Sequence, residues 1–208
     1  VLGMVYNPKS TASLTPELGG VRGRTTTHAH DLNQPQLIAS KAAVERRLTL
    51  IQGPPGTGKT HTAVRILESW AKMDIGTILA VADSNVAVDN LLEGLLARGV
   101  RVVRLGQPVK VREKLRMATM DAKMETHPLR RDLDTQLNLN EKLNRRINSL
   151  KGKEKGLAYR DIKKGWKEIR RIENQIRDDI LDRIQVVCCT CIGAGNEILD
   201  GRRFPQVL

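Results

Sequence analysis

The clearest chemistry in this chain sits in eight consecutive residues, Gly53-Pro54-Pro55-Gly56-Thr57-Gly58-Lys59-Thr60. They fit the spacing G-x-x-x-x-G-K-[ST], and each residue type has a physical role. Glycines let successive main-chain N–H groups turn inward around phosphate oxygens. A helix that begins here adds its positive N-terminal end. Lys59 supplies a point charge for β and γ phosphates. The Thr60 hydroxyl can ligate Mg²⁺, an ion that keeps most of its own waters. The His61 N–H can join the same nest of donors, while its side chain is expected to be idle. A chance glycine-rich turn is the competing reading. The context speaks against it, because an apolar run stands directly before the loop and a helical stretch directly after.

Such a loop specifies a nucleotide but not a reaction. Hydrolysis also needs an acidic residue for Mg²⁺, a residue that orients water and often an arginine finger. The acidic pair normally ends a strand opposite the loop. Here the last strand candidate ends at Val207-Leu208, so the chain is expected to be cut before that pair, and its start also looks cut. As it stands it is expected to bind Mg-ATP weakly and to hydrolyse it hardly at all.

The elements that must position the loop follow from patterning. Gln36 to Arg47 suits a helix with Pro35 near its first turn. Leu48-Thr49-Leu50-Ile51 is a short β-prone run, followed after the loop by a helix from about Lys59 to Ala71. Thr77–Val81 and Val100–Leu105 read as buried strands, with a helix over Val86–Arg98 between them. Strands alternating with helices predict an α/β fold with a parallel sheet covered on both faces. Residues 110–184 differ. Leu129, Leu133, Leu137, Leu143, Ile147 and Leu150 form one stripe, with a polar gap near Asn140. Ile162, Trp166, Ile169, Ile172, Ile176 and Ile180 form a second. Two antiparallel helices are predicted, joined by a Lys/Gly turn around Gly152 and Gly156. Residues 185–208 return to strand, broken at Gly193-Ala194-Gly195. Residues 1–31 read as a flexible tail or the remnant of an upstream domain.

Composition bounds the rest. The chain has 208 residues, 40% hydrophobic and 28% charged, enough for a core but with only 2% aromatic side chains. No apolar run approaches a membrane-spanning length, and no charged-then-apolar pattern follows Val1, so a signal peptide is not expected. The net charge of +12 favours a polyanionic partner. Residues 110–183 hold 21 basic and 13 acidic side chains, a net of +8. Cys188, Cys189 and Cys191 are too close together to pair well, which points to a reducing compartment, cytoplasmic or nuclear. A zinc site is the rival reading of that cluster, but strand alternation sends Cys188 and Cys189 to opposite faces.

Three motifs in order, covering residues 32–208, bring the chain to a family. Leu32-Asn33-Gln34-Pro35-Gln36 before the phosphate loop, then Asp83-Ser84-Asn85-Val86-Ala87-Val88-Asp89, then Cys188-Cys189-Thr190-Cys191-Ile192-Gly193-Ala194-Gly195, resemble superfamily 1B helicases. Among these they are similar to the up-frameshift RNA helicases of nonsense-mediated decay. The resemblance implies an incomplete RecA-like domain over 32–109 and 185–208, truncated before the Walker-B acidic pair. It makes 110–184 a helical insertion, called 1C in this family, that leans over nucleic acid. It implies that Gln36 reads the adenine edge, supported by Asn33, within a nucleotide site of Asn33, Gln36, Gly53, Pro55, Gly56, Thr57, Gly58, Lys59, Thr60 and His61. Lys59 and Thr60 would be its catalytic pair, with ATP and Mg²⁺ as ligands. Ser84, Asn85, Val88, Thr190, Cys191 and Gly193 would line a track for single-stranded RNA or DNA, travelled 5′ to 3′. A second RecA-like domain would complete the ATP site, and decay-pathway proteins would be partners; no membrane is implied. Asp83 stands where the family usually has Pro, an added negative charge near a phosphate track, and the family's upstream barrel insertion is not recognisable in residues 1–31.

Plainer roles compete at each of these positions. Gln36 could be a solvent-exposed helix former, Ser84 and Asn85 ordinary N-caps, and the basic hairpin a solvated face. Trp166 falls in an apolar stripe and is expected in the core. Two other functions are therefore kept beside the helicase: a phosphate-loop NTPase that does not act on nucleic acid, and a catalytically silent nucleic-acid or protein docking module.

Overall fold

The computed structural model describes residues 31–106 and 112–208. Of the tail expected over residues 1–31, all but Asp31 lies outside the described residues. Two compact units form, one from the described residues through Leu105 together with Gln185–Leu208, the other from Gly106–Ile184.

In the first unit the order is α1 (Gln34–Glu45), α2 (Lys59–Lys72), β1 (Ile78–Ala82), α3 (Asn85–Leu96), β2 (Val102–Arg104) and β3 (Val186–Thr190). The three strands are parallel in the order β1-β3-β2. The last strand in sequence is thus the central one, with Val186 in register with both Ile78 and Val102. A central parallel strand is covered on both faces, which is why Val186, Val187, Cys188 and Cys189 are all apolar and buried. α2 contributes Val64, Ile66, Leu67 and Trp70 to the core, and α3 contributes Val88, Leu91, Leu92 and Leu95. Each such aliphatic side chain stabilises by about 1.5–3 kcal/mol on burial. The predicted α/β class with a small, incomplete RecA-like parallel sheet is what forms.

Two predicted strands come out differently. Leu48–Ile51 has no ladder partner among the described residues, and Leu48 and Leu50 are exposed. A strand is defined by its neighbour, and here the Thr49 hydroxyl donates to the Ala42 carbonyl at 3.0 Å instead. A cleft of about 380 Å³ opens beside this segment, lined by Ala43, Leu48, Ile51, Trp70 and Leu208 among others. The predicted strand over 204–208 narrows to a single parallel bridge, Leu79 with Val207. There the Leu208 N–H donates to Leu79 O at 2.9 Å, and the Val81 N–H donates to Leu208 O at 2.7 Å.

The second unit holds a 3-10 turn at Glu113–Ala118, then α4 (Met120–Glu125), α5 (Arg130–Arg146) and α6 (Gly152–Asp182). Asn140 of α5 lies against Gly165 of α6, while His127 Nε2 lies 3.7 Å from Asp179 Oδ2. Earlier residues meet later ones, so the pair is antiparallel, as predicted. The turn itself is not: Gly152 and Gly156 lie inside α6, and the chain reverses through the 3-10 turn Ile147–Ser149, Leu150 and Lys151. A glycine costs a helix about 1 kcal/mol, which a helix of 31 residues with Ile169, Ile172, Ile176 and Ile180 buried can absorb. Among the described residues no helix is long and apolar enough to cross a membrane.

Candidate functional site

Two glycines shape the phosphate loop. Gly56 and Gly58 both have φ near +80°, and Gly58 in that left-handed conformation is the N-cap of α2. Lys59 Nζ donates to the carbonyls of Gly53 and Pro54 at 2.7 and 2.9 Å, holding its charge over the loop. An ammonium has three donors, so one is left for an incoming oxygen. Three threonines stand close together, and their hydroxyls divide the work. Thr57 donates to Pro54 O and Thr62 to Gly58 O, while Thr60 has no hydrogen bond from its hydroxyl among the described residues and is exposed. Thr60 is therefore the one able to meet a cation. Among the described residues no group of three His, Cys, Asp or Glu is placed to hold a metal by itself. A hard cation that arrives with phosphate and its own waters fits this donor set, and one caged by protein carboxylates does not.

Gln36 closes the loop from α1. The Asn33 Oδ1 accepts from the Gln36 N–H at 3.0 Å, and the Gln36 Oε1 accepts from the Asn33 N–H at 3.0 Å, a reciprocal cap. The Gln36 Nε2 then donates to the Thr57 carbonyl at 3.1 Å. Gln36 is 7% exposed, so it is not a solvated helix former. These bonds use one N–H and one lone pair of its amide, leaving one of each. That remainder complements the N7 acceptor and N6 donor of adenine.

An ionic cluster braces the same region. Asp31 pairs with Arg65 and lies 3.7 Å from Arg98, and Glu68 bonds Arg65 at 2.7 Å and Lys72 at 2.7 Å. His61 Nε2 lies 3.4 Å from Asp31 Oδ2 but has no hydrogen-bond partner among the described residues. The Arg65 hydrogen bond holds the Asp31 carboxyl below its ordinary range. For Glu68, burial pushes upward, but the hydrogen bonds from Lys72 and Arg65 outweigh it and the carboxyl also lies low.

The residues of the second predicted site come together where β1 and β3 end. Ala82 pairs in register with Thr190, and the Cys191 N–H donates to the Ala82 carbonyl at 3.0 Å. The two motifs are thereby side by side. Ser84 caps α3, its hydroxyl accepting from the Ala87 N–H at 3.2 Å. The Thr190 hydroxyl accepts from the Gly193 N–H at 3.0 Å, which tightens the turn after β3. Val86 and Ile192 are exposed at this edge, Ile192 at 93%. Val88 departs from expectation: it is 1% exposed, on the face of α3 that also buries Leu91, Leu92 and Leu95, so its side chain cannot touch a strand. Cys188 and Cys189 are packed in the sheet, and burial pushes both thiols up, Cys189 to about 11, while Cys191 is exposed.

Patterning missed Arg104. It is 1% exposed, yet its Nε donates to Asp89 Oδ1 at 2.8 Å and its Nη2 donates to Asn85 Oδ1 at 2.8 Å. The signal was present as a lone charge between Val103 and Leu105 in an apolar strand. The Asp31 cluster was equally unforeseen, because its members are spread over 31–98.

In the helical unit, Trp166 is not in the core. It is 52% exposed, and with the Asn140 amide oriented by its partners its Nε1 donates to that side chain at 3.2 Å, while the amide nitrogen donates to Ile162 O at 3.2 Å. Asn140 is the buried member of the polar gap, and it fills the space a Cβ on Gly165 would need. A tryptophan with its N–H satisfied at one end tolerates water at the other. Tyr159, Lys163, Trp166 and Arg170, three or four residues apart on α6, are all exposed.

The family described as AAA domain matches residues 31–208. The chain is 38% identical over 209 residues to the Regulator of nonsense transcripts 1 homolog of Arabidopsis thaliana, covering 100% of this chain and 15% of that protein. It is 36% identical over 181 residues to the Drosophila melanogaster protein of the same name, covering 87% of this chain and 14% of that protein. It is 37% identical over 177 residues to the ATP-dependent helicase NAM7 of Saccharomyces cerevisiae, covering 85% of this chain and 17% of that protein. The chain thus spans about a sixth or less of the length of these relatives. With a match that takes in all three of its motifs, the chain belongs to the AAA domain family, and its resemblance to up-frameshift-type superfamily 1 helicases is borne out.

Proposed function

We propose that this chain is the ATP-binding part of an ATP-dependent helicase that moves along single-stranded RNA or DNA. The observation that carries the reading is the clamp of Gln36 on the phosphate loop. It leaves one N–H and one lone pair for adenine, beside the loop that carries Lys59 and Thr60. Lys59 holds the terminal phosphates, Thr60 meets their Mg²⁺, and the loop amides take up the oxygens. When bound, Mg-ATP supplies the free energy of phosphoanhydride cleavage. The names of the relatives, one an ATP-dependent helicase and two regulators of nonsense transcripts, support the nucleic-acid side. The paired strand ends at Ala82 and Thr190 supply the track, with Ser84, Asn85, Thr190, Cys191 and Gly193 along it. A second RecA-like domain and decay-pathway proteins are its proposed partners, and a reducing compartment, cytoplasm or nucleus, suits its free thiols.

Two titrations test this. A fluorescent ATP analogue with Mg²⁺ is expected to bind the wild type and to lose most of its affinity in Lys59→Ala; equal signals sink the nucleotide site and favour a silent docking module. A labelled single-stranded oligonucleotide is expected to bind with an affinity that falls steeply as salt rises. Nucleotide binding with no oligonucleotide binding even at low salt favours an NTPase that does not act on nucleic acid.

A further inference from the structure

Arg104 is an expensive residue for its position. It occupies the last place of a short strand whose other members are Val102 and Val103, and it is 1% exposed. Withdrawing a guanidinium from water costs several kcal/mol, and a buried ion pair is weak evidence for stability in itself. An aliphatic side chain would fill the same space. What an aliphatic residue cannot do is hold two points at once. The planar fork reaches Asp89 through Nε at 2.8 Å and Asn85 through Nη2 at 2.8 Å, residues one turn apart on α3.

The consequence lies in the sense of the Asn85 amide. A carboxamide offers oxygen on one side and N–H on the other. With Oδ1 committed to Arg104, a flipped amide would set N–H against N–H, so the Nδ2 donors are turned away from the guanidinium. Asn85 is half-buried, and among the described residues its Nδ2 has no hydrogen-bond partner. Ser84 beside it uses its hydroxyl oxygen to accept the Ala87 N–H, which caps α3.

We infer that Arg104 is a positioning residue for nucleic-acid binding: it locks the Asn85 amide with its donors outward, so that this junction presents N–H groups to the backbone oxygens of a single strand. The inference rests on the nucleic-acid reading of the Ser84–Asn85 junction and names the atoms that act there. It also sets the chemistry of the contact. Outward donors suit phosphate oxygens, which every sequence offers alike, so the contact holds register along the strand and does not read bases.

Asn85→Asp separates holding from binding. Aspartate keeps an acceptor for Arg104 but turns a second oxygen outward, where the amide had donors. The variant is expected to melt at or above the wild-type temperature and to keep the ATP-induced melting shift. Its affinity for a labelled oligouridylate should fall at least tenfold at low salt, and further than that of Asn85→Ala. An Asn85→Asp protein that binds the oligonucleotide as the wild type does overturns the inference. The role of Arg104 is read by a double-mutant cycle. Arg104→Lys retains a charge for Asp89 but has no fork to reach Asn85, so binding is expected to drop about fivefold. In the Asn85→Ala background the same change is expected to cost nothing. An equal cost in both backgrounds means that Arg104 does not act through Asn85, and the inference falls. A wild type that binds no oligonucleotide at low salt removes the nucleic-acid reading itself and the inference with it, while an intact ATP shift in that sample leaves the nucleotide site standing.

Discussion

The phosphate loop and the Ser84–Asn85 junction each lead into a helix, yet their donors are organised by different means. The loop is made of main chain. Glycines at φ near +80° turn its amides, and Lys59 bonds back to carbonyls only five and six residues away. The junction is made of side chains, and the residue that orients Asn85 lies 19 positions later, on a strand. A site built from backbone tolerates change in its neighbours but not in its own conformation. A site oriented by a distant arginine has the opposite sensitivity.

Substitution within the loop gives the largest expected effect. A Cβ on Gly58 would sit 2.5 Å from Gln36 Nε2, in a backbone conformation that L-residues resist; a Cβ on Gly56 meets nothing within 4 Å. Both changes cost about 1–2 kcal/mol for the left-handed backbone. Gly58→Ala should add the loss of the Gln36 clamp and a marked drop in ATP-analogue affinity. Thermal melting and nucleotide titration of the two variants check this, and equal affinities would mean that the clamp does not matter to nucleotide binding.

Acid is the next largest disturbance, because it acts on the ion cluster that ties Asp31 to α2 and to Arg98 beyond α3. Asp31 and Glu68 both have carboxyls held below their ordinary values of 3.8 and 4.5. The folded state therefore binds fewer protons than the unfolded state through that window, and stability rises with pH there. The contribution is present in full above the ordinary carboxylate range and is lost as pH falls through the lowered values. Melting temperature should be flat from about pH 6 to 8 and drop below about pH 4. Asp31→Asn should shrink the drop, and an unchanged acid limb would show that other carboxylates control it.

At the junction, Asp83 is exposed and precedes the cap. Asp83→Asn removes a like charge from the proposed phosphate track and is expected to tighten oligonucleotide binding a few-fold at low salt, with the gain fading as salt rises. Fluorescence anisotropy at two salt concentrations checks this; a weaker complex would place the strand elsewhere.

The smallest effect is expected in the helical unit. Asn140→Ala takes away the acceptor of Trp166 Nε1, but the indole is half-exposed and water can replace it. The cost should be about 1 kcal/mol, visible as a small fall in melting temperature. A much larger fall would mean that Asn140 fixes the register of α5 on α6, as a buried polar residue can in a helical seam.

The comparison also explains what could be read in advance. Spacing and residue type alone gave the phosphate loop, the helices on either side of it, the parallel class of the sheet and the antiparallel helical pair. These depend on neighbours a few residues apart, where backbone preference and periodicity act. Leu48–Ile51 shows the limit, since β-prone residues do not form a strand without a partner, and periodicity cannot supply one. Trp166 shows it again: its place in an apolar stripe was legible, but the indole's turn outward toward Asn140 was not.

By itself, the chain's order of residues determined that a nucleotide could be gripped, because a nest of amides is a property of consecutive residues. The fold alone decided that Gln36 reaches across 21 positions to Thr57, that β3 takes the central place, and that Arg104 holds Asn85. Each of those depends on which distant segments share the same interior space, and burial there makes an unpaired polar group too costly to leave without its partner.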